Sequence, residues 1–517
     1  PGQTPILDFH GEASGKIGLS ISTNGWNVKG LTIEYAQSNG LQVSGSNNVV
    51  NQIVTRLNQN TGLAIQSPGG SGLRPSNNLI LNCDSYGNYD VANLGENADG
   101  FTAKFRGLGT GNTFNGCRSF NNADDGFDFW GAESGVTVEN CWSFHNAIAS
   151  SFIGVTGTFA GDGNGIKLGH DSGTHVLKNM LIFGNQGSDG NGIDINGNAF
   201  ADPGSSGIPS NPYIAINHGV SLFNNTIFNN KGSNFHIDEN PQDAATNGTP
   251  ATTHVLVNNI SLNISSGGTV TNNVSIKTGN TENHNSWDSG FGVTASDFIS
   301  TTDPVTSDGI YHPVTDKTGA TSPTFPTGLA VAPRNADGSL PSLNGFLQLK
   351  PGDHLIDKGV PTFTSGGPSG FTTTEQLAYS GSGVDLGAFE VLPVRGDFNH
   401  DGNITSADLD ELLKALVNPA GYQASHSISN FDWPLIADVN NSGSLDNADI
   451  QAMLYLMNHP TAGAAGLGDG GGPSSVPEPS ALVLVAIGVM LIAARTAKFR
   501  IRDIGVRCFA DSFSAMR

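Results

Sequence analysis

Four aspartates and one lysine stand at related positions of a recurrent sequence pattern and could act together. They are Asp99, Asp124, Asp125, Asp128 and Lys167. Carboxylates a few ångströms apart raise one another's pKa values, so such a cluster is costly unless a cation neutralises it. A ligand set that consists of oxygen atoms alone suits a hard cation, most simply Ca²⁺. If the fold brings these residues together, the sequence predicts a calcium site beside an amine.

The pattern that carries these residues is Gly-apolar-x-apolar. Copies begin at Gly40, Gly62, Gly100, Gly126, Gly165 and Gly192, and a seventh begins at Asn234. Repeats of this length, with short apolar runs between Asn-, Ser- and Gly-rich turns, are typical of a solenoid. They predict an all-β fold, a right-handed parallel β-helix, over residues 1–392. Within it, residues 298–392 are expected to form a cap and closing coils.

Equivalent residues of successive coils stack about 4.8 Å apart in such a fold. Because the apolar positions must face inward, the x positions form an outward column: Gln42, Ala64, Thr102, Asp128, Lys167, Asp194 and His236. The residues before each Gly form a column at the solvent edge: Asn39, Thr61, Asp99, Asp125, Asn164, Asn191 and Ser233. Asp99 and Asp125 are therefore predicted on adjacent coils, with Lys167 one coil beyond Asp128.

A second series of repeats keeps the same phase and predicts three further columns. An inward aromatic stack is expected from Tyr86, Phe120, Phe144, Phe183 and Phe228. A ladder of stacked turn amides is expected from Asn88, Asn122, Asn146, Asn185 and Asn230. Cys83, Cys117 and Cys141 are expected in one interior column, as small buried hydrophobes rather than redox groups.

The chemistry that such a site can perform is β-elimination on a polymer of uronic acids. Calcium held by the aspartates would bridge to the substrate carboxylate, acidify the proton at C5 and stabilise an enolate-like intermediate. Lys167 would accept that proton, and the C4–O bond would break. A lysine is a base only when neutral, so its pKa of about 10.4 would have to be lowered by the cation or by desolvation, which predicts an alkaline pH optimum. The alternative is that Lys167 only pairs with Asp128 or Asp194 on a solvated face.

Three stretches resemble the motifs of polysaccharide lyase family 9, the pectate lyases on a ten-coil β-helix. They are residues 97–101, 122–128 and 163–169, and the resemblance covers roughly residues 5–392. It implies that Asp99, Asp124, Asp125 and Asp128 hold calcium and that Lys167 is the base. One departure is the run from Ile166 to His170, where the family has an aromatic residue before the lysine and a second glycine.

Other polar and aromatic residues could contact the substrate. Lys104 and Arg118 could bind its carboxylates, although residues of this kind are more often solvated surface charges. Trp130 lies in a second outward column beside the predicted metal site and could stack on a sugar ring.

The residue pattern of the sequence changes after residue 392. Two loops have oxygen ligands at calcium-loop spacing: Asp397, Asn399, Asp401, Asn403 and Asp408, then Asp438, Asn440, Ser442 and Asp449. Each loop runs into a helical pattern of apolar residues. This duplicated arrangement over residues 393–460 resembles a dockerin type I module, which implies cohesin as a partner. The alternative is a calcium-stabilised spacer with no partner.

Residues 461–475 are Gly-rich and are predicted to be a flexible linker. Residues 476–517 begin with a Val-Pro-Glu-Pro-Ser motif, followed by an apolar run over 481–494 and a basic tail. They resemble the PEP-CTERM sorting signal, which implies transient membrane anchoring and a secreted or cell-surface protein of a bacterium with an exosortase system. The chain starts at Pro1, and we expect its export signal to have been lost or removed.

Net charge limits the partners. The 517 residues include 23 basic and 45 acidic ones, a formal charge of −22, which disfavours nucleic acid or an anionic membrane surface as the main partner. An acidic polymer such as polygalacturonate would need a bound cation, and the solenoid is expected to be monomeric. Two alternatives to the lyase remain: a polygalacturonate hydrolase, which would use an acid and base pair without a metal, and a noncatalytic adhesive β-helix.

Overall fold

The computed structural model describes residues 5–67, 72–105, 107–169, 173–196, 219–238, 254–364, 374–377, 383–391, 394–399, 403–426, 428 and 432–458. The linker and sorting signal predicted over 461–517 lie outside these residues. Asp401 and the predicted domain boundary at 392 also lie outside them.

Three parallel sheets, each with one strand per coil, form a solenoid within the described residues. Sheet A holds β1 (Ile6–Asp8), β4 (Thr32–Glu34), β7 (Val54–Arg56), β10 (Asp84–Tyr86), β13 (Arg118–Phe120), β16 (Trp142–Phe144), β19 (Leu181–Phe183), β22 (Thr226–Phe228), β25 (Ile260–Ile264) and the antiparallel β26 (Val270–Thr271). Sheet B holds β2 (Leu19–Ile21), β5 (Leu41–Val43), β8 (Leu63–Ile65), β11 (Phe101–Ala103), β14 (Phe127–Asp128), β17 (Ile166–Gly169), β20 (Ile193–Asn196), β23 (Phe235–Ile237) and β27 (Val274–Ile276). Sheet C holds β3 (Asn27–Lys29), β6 (Val49–Asn51), β9 (Leu79–Leu81), β12 (Asn112–Asn115), β15 (Val136–Glu139), β18 (Val176–Lys178), β21 (Ser221–Phe223), β24 (Val255–Val257) and β28 (Thr281–Asn283).

The two predicted columns that contain the acidic residues, the x positions and the residues before each Gly, are confirmed. The x positions from Gln42 to His236 are consecutive register partners in sheet B, and Asp128 pairs with Lys167. The residues before each Gly also stack, because the amide of each Gly donates to the carbonyl of the next such residue. For example, Gly100 donates to the carbonyl of Asp125 at 3.0 Å. The period of the sequence therefore determined the register of sheet B.

The asparagine ladder is also confirmed. The side-chain amide of Asn88 donates to Oδ1 of Asn122 at 2.7 Å, and that of Asn122 donates to Asn146 at 3.1 Å. The same bond continues through Asn185 to Asn230. Each side chain also satisfies buried backbone groups of the preceding coil: Oδ1 of Asn122 accepts the backbone N–H of Asn88, and its amide donates to the carbonyl of Ser85. The three predicted cysteines are free thiols buried in the interior, as expected.

The aromatic stack exists, but the prediction that it faces inward is wrong. Ring centroids of Tyr86 and Phe120 are 4.6 Å apart, and those of Phe120 and Phe144 are 5.1 Å apart. In a three-residue strand the first and third side chains point away from the second. The second position, Ile182 in β19, belongs to the interior core, so the aromatic third position lies on the outer face of sheet A.

The C-terminal part of the domain covers outer faces of the solenoid instead of forming closing coils: residues around Phe346 cover sheet A, and residues around Leu377 pack on sheet C. It contains β29 (Val305–Ser307) paired with β30 (Thr327–Gly328), helix α1 (Pro313–Asp316), and β31 (Thr362–Thr364) paired with β32 (Thr374–Gln376). Short 3₁₀ turns lie at Ala149–Ser151, Ala295–Asp297 and Leu329–Val331. Phe346 packs edge-on against Phe183 and Phe228, with centroids 5.0 and 5.8 Å away. Because this segment buries the aromatic stack, sheet A has two apolar faces.

Residues 394–458 form a small helical module with its own core. Its helices are α2 (Ser406–Val417), α3 (Pro419–Ser425), α4 (Asp432–Ala437) and α5 (Asn447–Asn458). Phe398, Leu412, Tyr422, Ile436 and Met453 meet in the core. The helices predicted after each loop are α2 and α5, and the sequence did not predict α3 and α4. Within the described part of the chain, none of the helices has the length and apolar character needed to span a bilayer.

Candidate active site

The acidic residues predicted from the sequence meet at the edge of sheet B. Carboxylate oxygens of Asp99, Asp125 and Asp128 all lie within 4.8 Å of one another. A second group of the same size joins Asp124 and Asp125 to Asp162. Asp99 and Asp125 lie together because they occupy equivalent positions of adjacent coils. Asp128 is the last residue of the two-residue strand β14, and its carboxylate reaches the same cluster.

The cluster is buried, so the expectation of a solvent edge is wrong. Asp99 and Asp125 are fully buried, and Asp124 and Asp128 are each only 3% exposed. The cause is two insertions that fold over the turn, one before Gly100 and one before Gly165. Asp124 holds both, because it accepts the backbone N–H of Asn97 at 2.7 Å and that of Asp162 at 2.8 Å.

Several carboxylate oxygens are bound by neighbouring donors. Oδ1 of Asp125 accepts the backbone and side-chain amides of Asn164 at 2.6 and 3.0 Å. Oδ1 of Asp128 accepts the backbone N–H of Trp130 at 2.7 Å. Oδ1 of Asp99 and Oδ2 of Asp125 are buried with no hydrogen-bond partner among the described residues. Buried carboxylate oxygens without donors are the atoms that a hard cation would bind, so the residues fit calcium.

Two lysines enter the cluster from neighbouring coils. Nζ of Lys167 lies 2.5 Å from Oδ2 of Asp162 and 3.6 Å from Oδ2 of Asp125. Nζ of Lys104 lies 2.9 Å from Oδ2 of Asp99 and also contacts Oδ2 of Asp128. Sequence reasoning missed Asp162. A usable signal was its spacing, since Asp162 precedes Lys167 by five residues, as Asp99 precedes Lys104.

The electrostatics of the cluster follow from burial and crowding. Burial raises the pKa of Asp99 to about 7 although Lys104 opposes it, and burial raises the pKa of Asp124 to about 6 although Lys167 opposes it. Burial also lowers the affinity of Lys167 for a proton, yet the carboxylates of Asp125, Asp128, Asp124 and Asp162 outweigh it and raise the lysine pKa. Desolvation alone therefore does not produce the neutral amine that a base requires.

Two other residues were predicted to contact the substrate. Trp130 lies beside the acid cluster, whereas Arg118 lies on another sheet. Trp130 is half-buried beside Asp128, and its ring meets that of Phe105 edge-on at 6.1 Å. Arg118 is 3% exposed and makes a bidentate ion pair with Asp84, at 2.9 and 3.0 Å. It also donates to the carbonyl of Ala330 at 2.8 Å. Neither the substrate-binding role nor the solvated surface charge predicted for Arg118 fits this position, because Arg118 on sheet A faces the covering segment.

The two predicted calcium loops of the helical module repeat one another in detail. Oδ1 of Asp408 accepts a hydrogen bond from the backbone N–H of Asn399 at 3.1 Å. Oδ1 of Asp449 accepts the equivalent bond from the backbone N–H of Asn440 at 2.9 Å. In the second loop, the carboxylate of Asp438 accepts the amides of Ser442 and Gly443, both at 2.7 Å. The first loop also contains Asp397 and Asn403, while Asp401 is outside the described residues.

The described solenoid thus carries a buried acid cluster with two lysines on one wall of a parallel β-helix. The family model described as "Pel9A-like, right handed beta helix region" matches residues 1–238. Pectate lyase L of Dickeya chrysanthemi is 32% identical over 375 residues, which are 72% of this chain and 68% of that protein. Pectate lyase L of Paenibacillus polymyxa (strain SC2) is 33% identical over 382 residues, 70% of this chain and 69% of that protein.

A solved structure agrees with these sequence relatives. The crystal structure of pectate lyase Pel9A is 31% identical, with a TM-score of 0.52, and the match covers 72% of this chain and 73% of that one. The chain belongs to polysaccharide lyase family 9, the Pel9A-like pectate lyases. It is a polysaccharide lyase.

Proposed function

We propose that this chain cleaves pectate by calcium-dependent β-elimination, with Lys167 as the base. The observation that carries the proposal is the pair of buried carboxylate oxygens without donors, Oδ1 of Asp99 and Oδ2 of Asp125, with the amine of Lys167 3.6 Å from the latter. Family membership supports the reaction class, and this geometry supports the assignment of residues within it.

Asp99, Asp125 and Asp128 would hold the calcium ion, and Asp124, which closes the two insertions over them, is the fourth proposed ligand. Bound there, calcium supplies positive charge that offsets both the uronate carboxylate and the aspartates that keep Lys167 protonated. Asn164 and the amide of Trp130 orient Asp125 and Asp128 by donating to their other oxygens.

Neutral Lys167 accepts the proton from C5 of a galacturonate residue at Nζ. The electron pair of that C–H bond forms the double bond between C4 and C5. The glycosidic oxygen leaves C4 with its own bonding pair and is protonated from solvent. Because β17 is hydrogen-bonded to both β14 and β20, the lysine backbone is held in a fixed register beside the acid cluster. Trp130 and Lys104 remain candidate substrate ligands on the same wall.

A direct assay tests the proposal. The full chain is incubated with polygalacturonate in calcium or in chelator, and the ultraviolet absorbance of the unsaturated product is followed. Absorbance that depends on calcium supports the lyase. New reducing ends without absorbance would indicate the hydrolase, and binding with neither signal would indicate an adhesin.

The helical module and the C-terminus extend the proposal beyond the lyase domain. The matched hydrogen bonds of Asp408 and Asp449 support two calcium loops, and we assign the module a dockerin-like role in cohesin binding. Calcium-dependent capture by a cohesin, abolished by Asp449→Ala, is the expected result. Capture that persists in chelator argues against it.

Export and transient membrane anchoring complete the proposed function, since pectate is a polymer outside the cell. The support is the sequence of residues 476–502 alone. In a bacterium with an exosortase, deletion of residues 476–517 is expected to release the enzyme from the membrane fraction. An unchanged distribution argues against a sorting role.

A further inference from the structure

Lys104 makes ion pairs inside the acid cluster that the substrate-binding role proposed for it does not explain. Its ammonium lies 2.9 Å from Oδ2 of Asp99 and contacts Oδ2 of Asp128, which are two of the four proposed calcium ligands. Its side chain is only 13% exposed and pairs with two carboxylates that are almost completely buried. Lys104 is therefore a charged group held inside the acid cluster.

We propose that Lys104 is a built-in counter-cation that competes with calcium for Asp99 and Asp128, so that calcium binding displaces its ammonium from the cluster. The inference rests on the proposed function, because it takes the same aspartates as the metal site. The inference adds one residue, Lys104, which sets how tightly the metal binds. It also names the structural change that accompanies binding.

The physical basis is that one pair of carboxylate oxygens cannot serve both cations. A calcium ion bound by oxygens of Asp99 and Asp128 would lie within a few ångströms of the ammonium, and two positive charges repel strongly in a site screened from water. Removal of the ammonium without a replacement would leave buried carboxylates uncompensated. The cluster is therefore stabilised by either cation, and each weakens the binding of the other.

The surroundings allow such an exchange. Lys104 follows the last residue of β11, so its position is not held on both sides by the sheet as that of Lys167 is. The next residue, Phe105, is 40% exposed. With Lys104 in place, Oδ1 of Asp99 and Oδ2 of Asp125 still lack hydrogen-bond partners among the described residues. The ammonium of Lys104 thus compensates the cluster only in part, and these two oxygens accept no hydrogen bond that a divalent ion would have to replace.

Calorimetric titration of the chelator-treated full chain with Ca²⁺ tests the competition. Asp125→Asn identifies which of the binding events belongs to the cluster, because the helical module is expected to take up calcium as well. At the site that requires Asp125, Lys104→Met is expected to bind calcium roughly ten-fold or more tightly than the unmodified chain. Lys178→Met is the control, since Lys178 pairs with Glu139 on sheet C at 2.8 Å.

Thermal unfolding gives a second readout that tolerates a less stable variant. Lys104→Met and Lys104→Gln are expected to melt below the unmodified chain in chelator and to gain more from added calcium. Equal calcium affinity at the Asp125-dependent site in Lys104→Met and the unmodified chain would overturn the competition and leave the lyase proposal standing. Loss of any Asp125-dependent calcium binding in both proteins would overturn the proposed metal site and the competition together.

Discussion

Asp128 and Lys167 are direct register partners on β14 and β17, and backbone hydrogen bonds therefore set their separation. The amide of Phe129 donates to the carbonyl of Lys167 at 3.0 Å, which holds the two strands together immediately after Asp128. The proposed base is thus positioned relative to the acid cluster by the solenoid itself rather than by a mobile loop. Side-chain contacts of Lys167 with Asp125 and Asp162 then aim its amine at the cluster.

Replacing Lys167 tests its role as the base. Lys167→Gln is expected to lower kcat for pectate cleavage by roughly a thousand-fold, the range typical of losing a general base. Lys178→Gln removes a comparable ion-paired lysine from sheet C and should leave kcat unchanged. Initial rates from product absorbance provide the measurement, with circular dichroism to verify folding. A Lys167→Gln enzyme with near-normal kcat would assign the base to another group.

Replacing Arg118 separates a structural role from substrate binding. Arg118 and Arg334 both pair with Asp84, and although burial opposes the charge, the two guanidinium groups lower the pKa of Asp84 to about 2. Arg118→Met breaks a buried ion pair and is expected to cost about 3 kcal/mol in the free energy of unfolding. Urea denaturation measures this cost, and KM for pectate should stay constant.

The matched control for Arg118 is Arg74→Met. Arg74 forms an exposed ion pair with Glu133, which is worth at most about 1 kcal/mol. An Arg118→Met protein with normal stability and a raised KM would restore the substrate-binding interpretation.

His145 gives the fold a predictable pH dependence. Its ring nitrogens lie 2.8 Å from Asp303 and 2.8 Å from Asp308, both in the segment that covers sheet A. Burial opposes the charged ring, but the hydrogen bonds to these two carboxylates raise its pKa to about 9. Because the folded pKa exceeds the unfolded value of about 6.5, the stabilisation is fully present below that value and is lost as pH rises through about 9.

The measurement is urea denaturation at a series of pH values in constant calcium. The free energy of unfolding is expected to fall by roughly 3 kcal/mol between about pH 6.5 and pH 9 because of His145. His145→Gln should be less stable at the acidic end and show a flatter profile. His354→Gln, at an exposed histidine, serves as the control. An unchanged pH profile in His145→Gln would contradict the assignment.

The asparagine ladder predicts a large local cost for a small deletion. Asn122 accepts from Asn88 and donates to Asn146 and Ser119, all in buried surroundings. Asn122→Ala leaves these partners unsatisfied, so the free energy of unfolding should fall by about 3 kcal/mol. Asn115→Ala, on the half-buried face of β12, should change it by less than about 1 kcal/mol. Similar losses in both variants would mean that the ladder adds nothing beyond ordinary side-chain contacts.

Local periodicity was sufficient to predict the solenoid and its columns. A stacked coil places equivalent residues side by side, so the repeat of Gly-apolar-x-apolar specified that Asp128 adjoins Lys167 and that Asp99 adjoins Asp125. It also specified the asparagine ladder and the interior cysteines. These relations depend only on residues of neighbouring coils, and sequence spacing determines them.

Tertiary structure decided the features that depend on distant segments. Phe120 is buried although it faces outward, because residues near Phe346 return to cover sheet A, and no local pattern reports that return. Burial of Asp125 and the entry of Asp162 follow from insertions that fold over the turn. Sequence by itself thus determined which groups share a wall. Only the folded chain decided what covers that wall and which cations meet there, because those contacts join residues that no repeat relates.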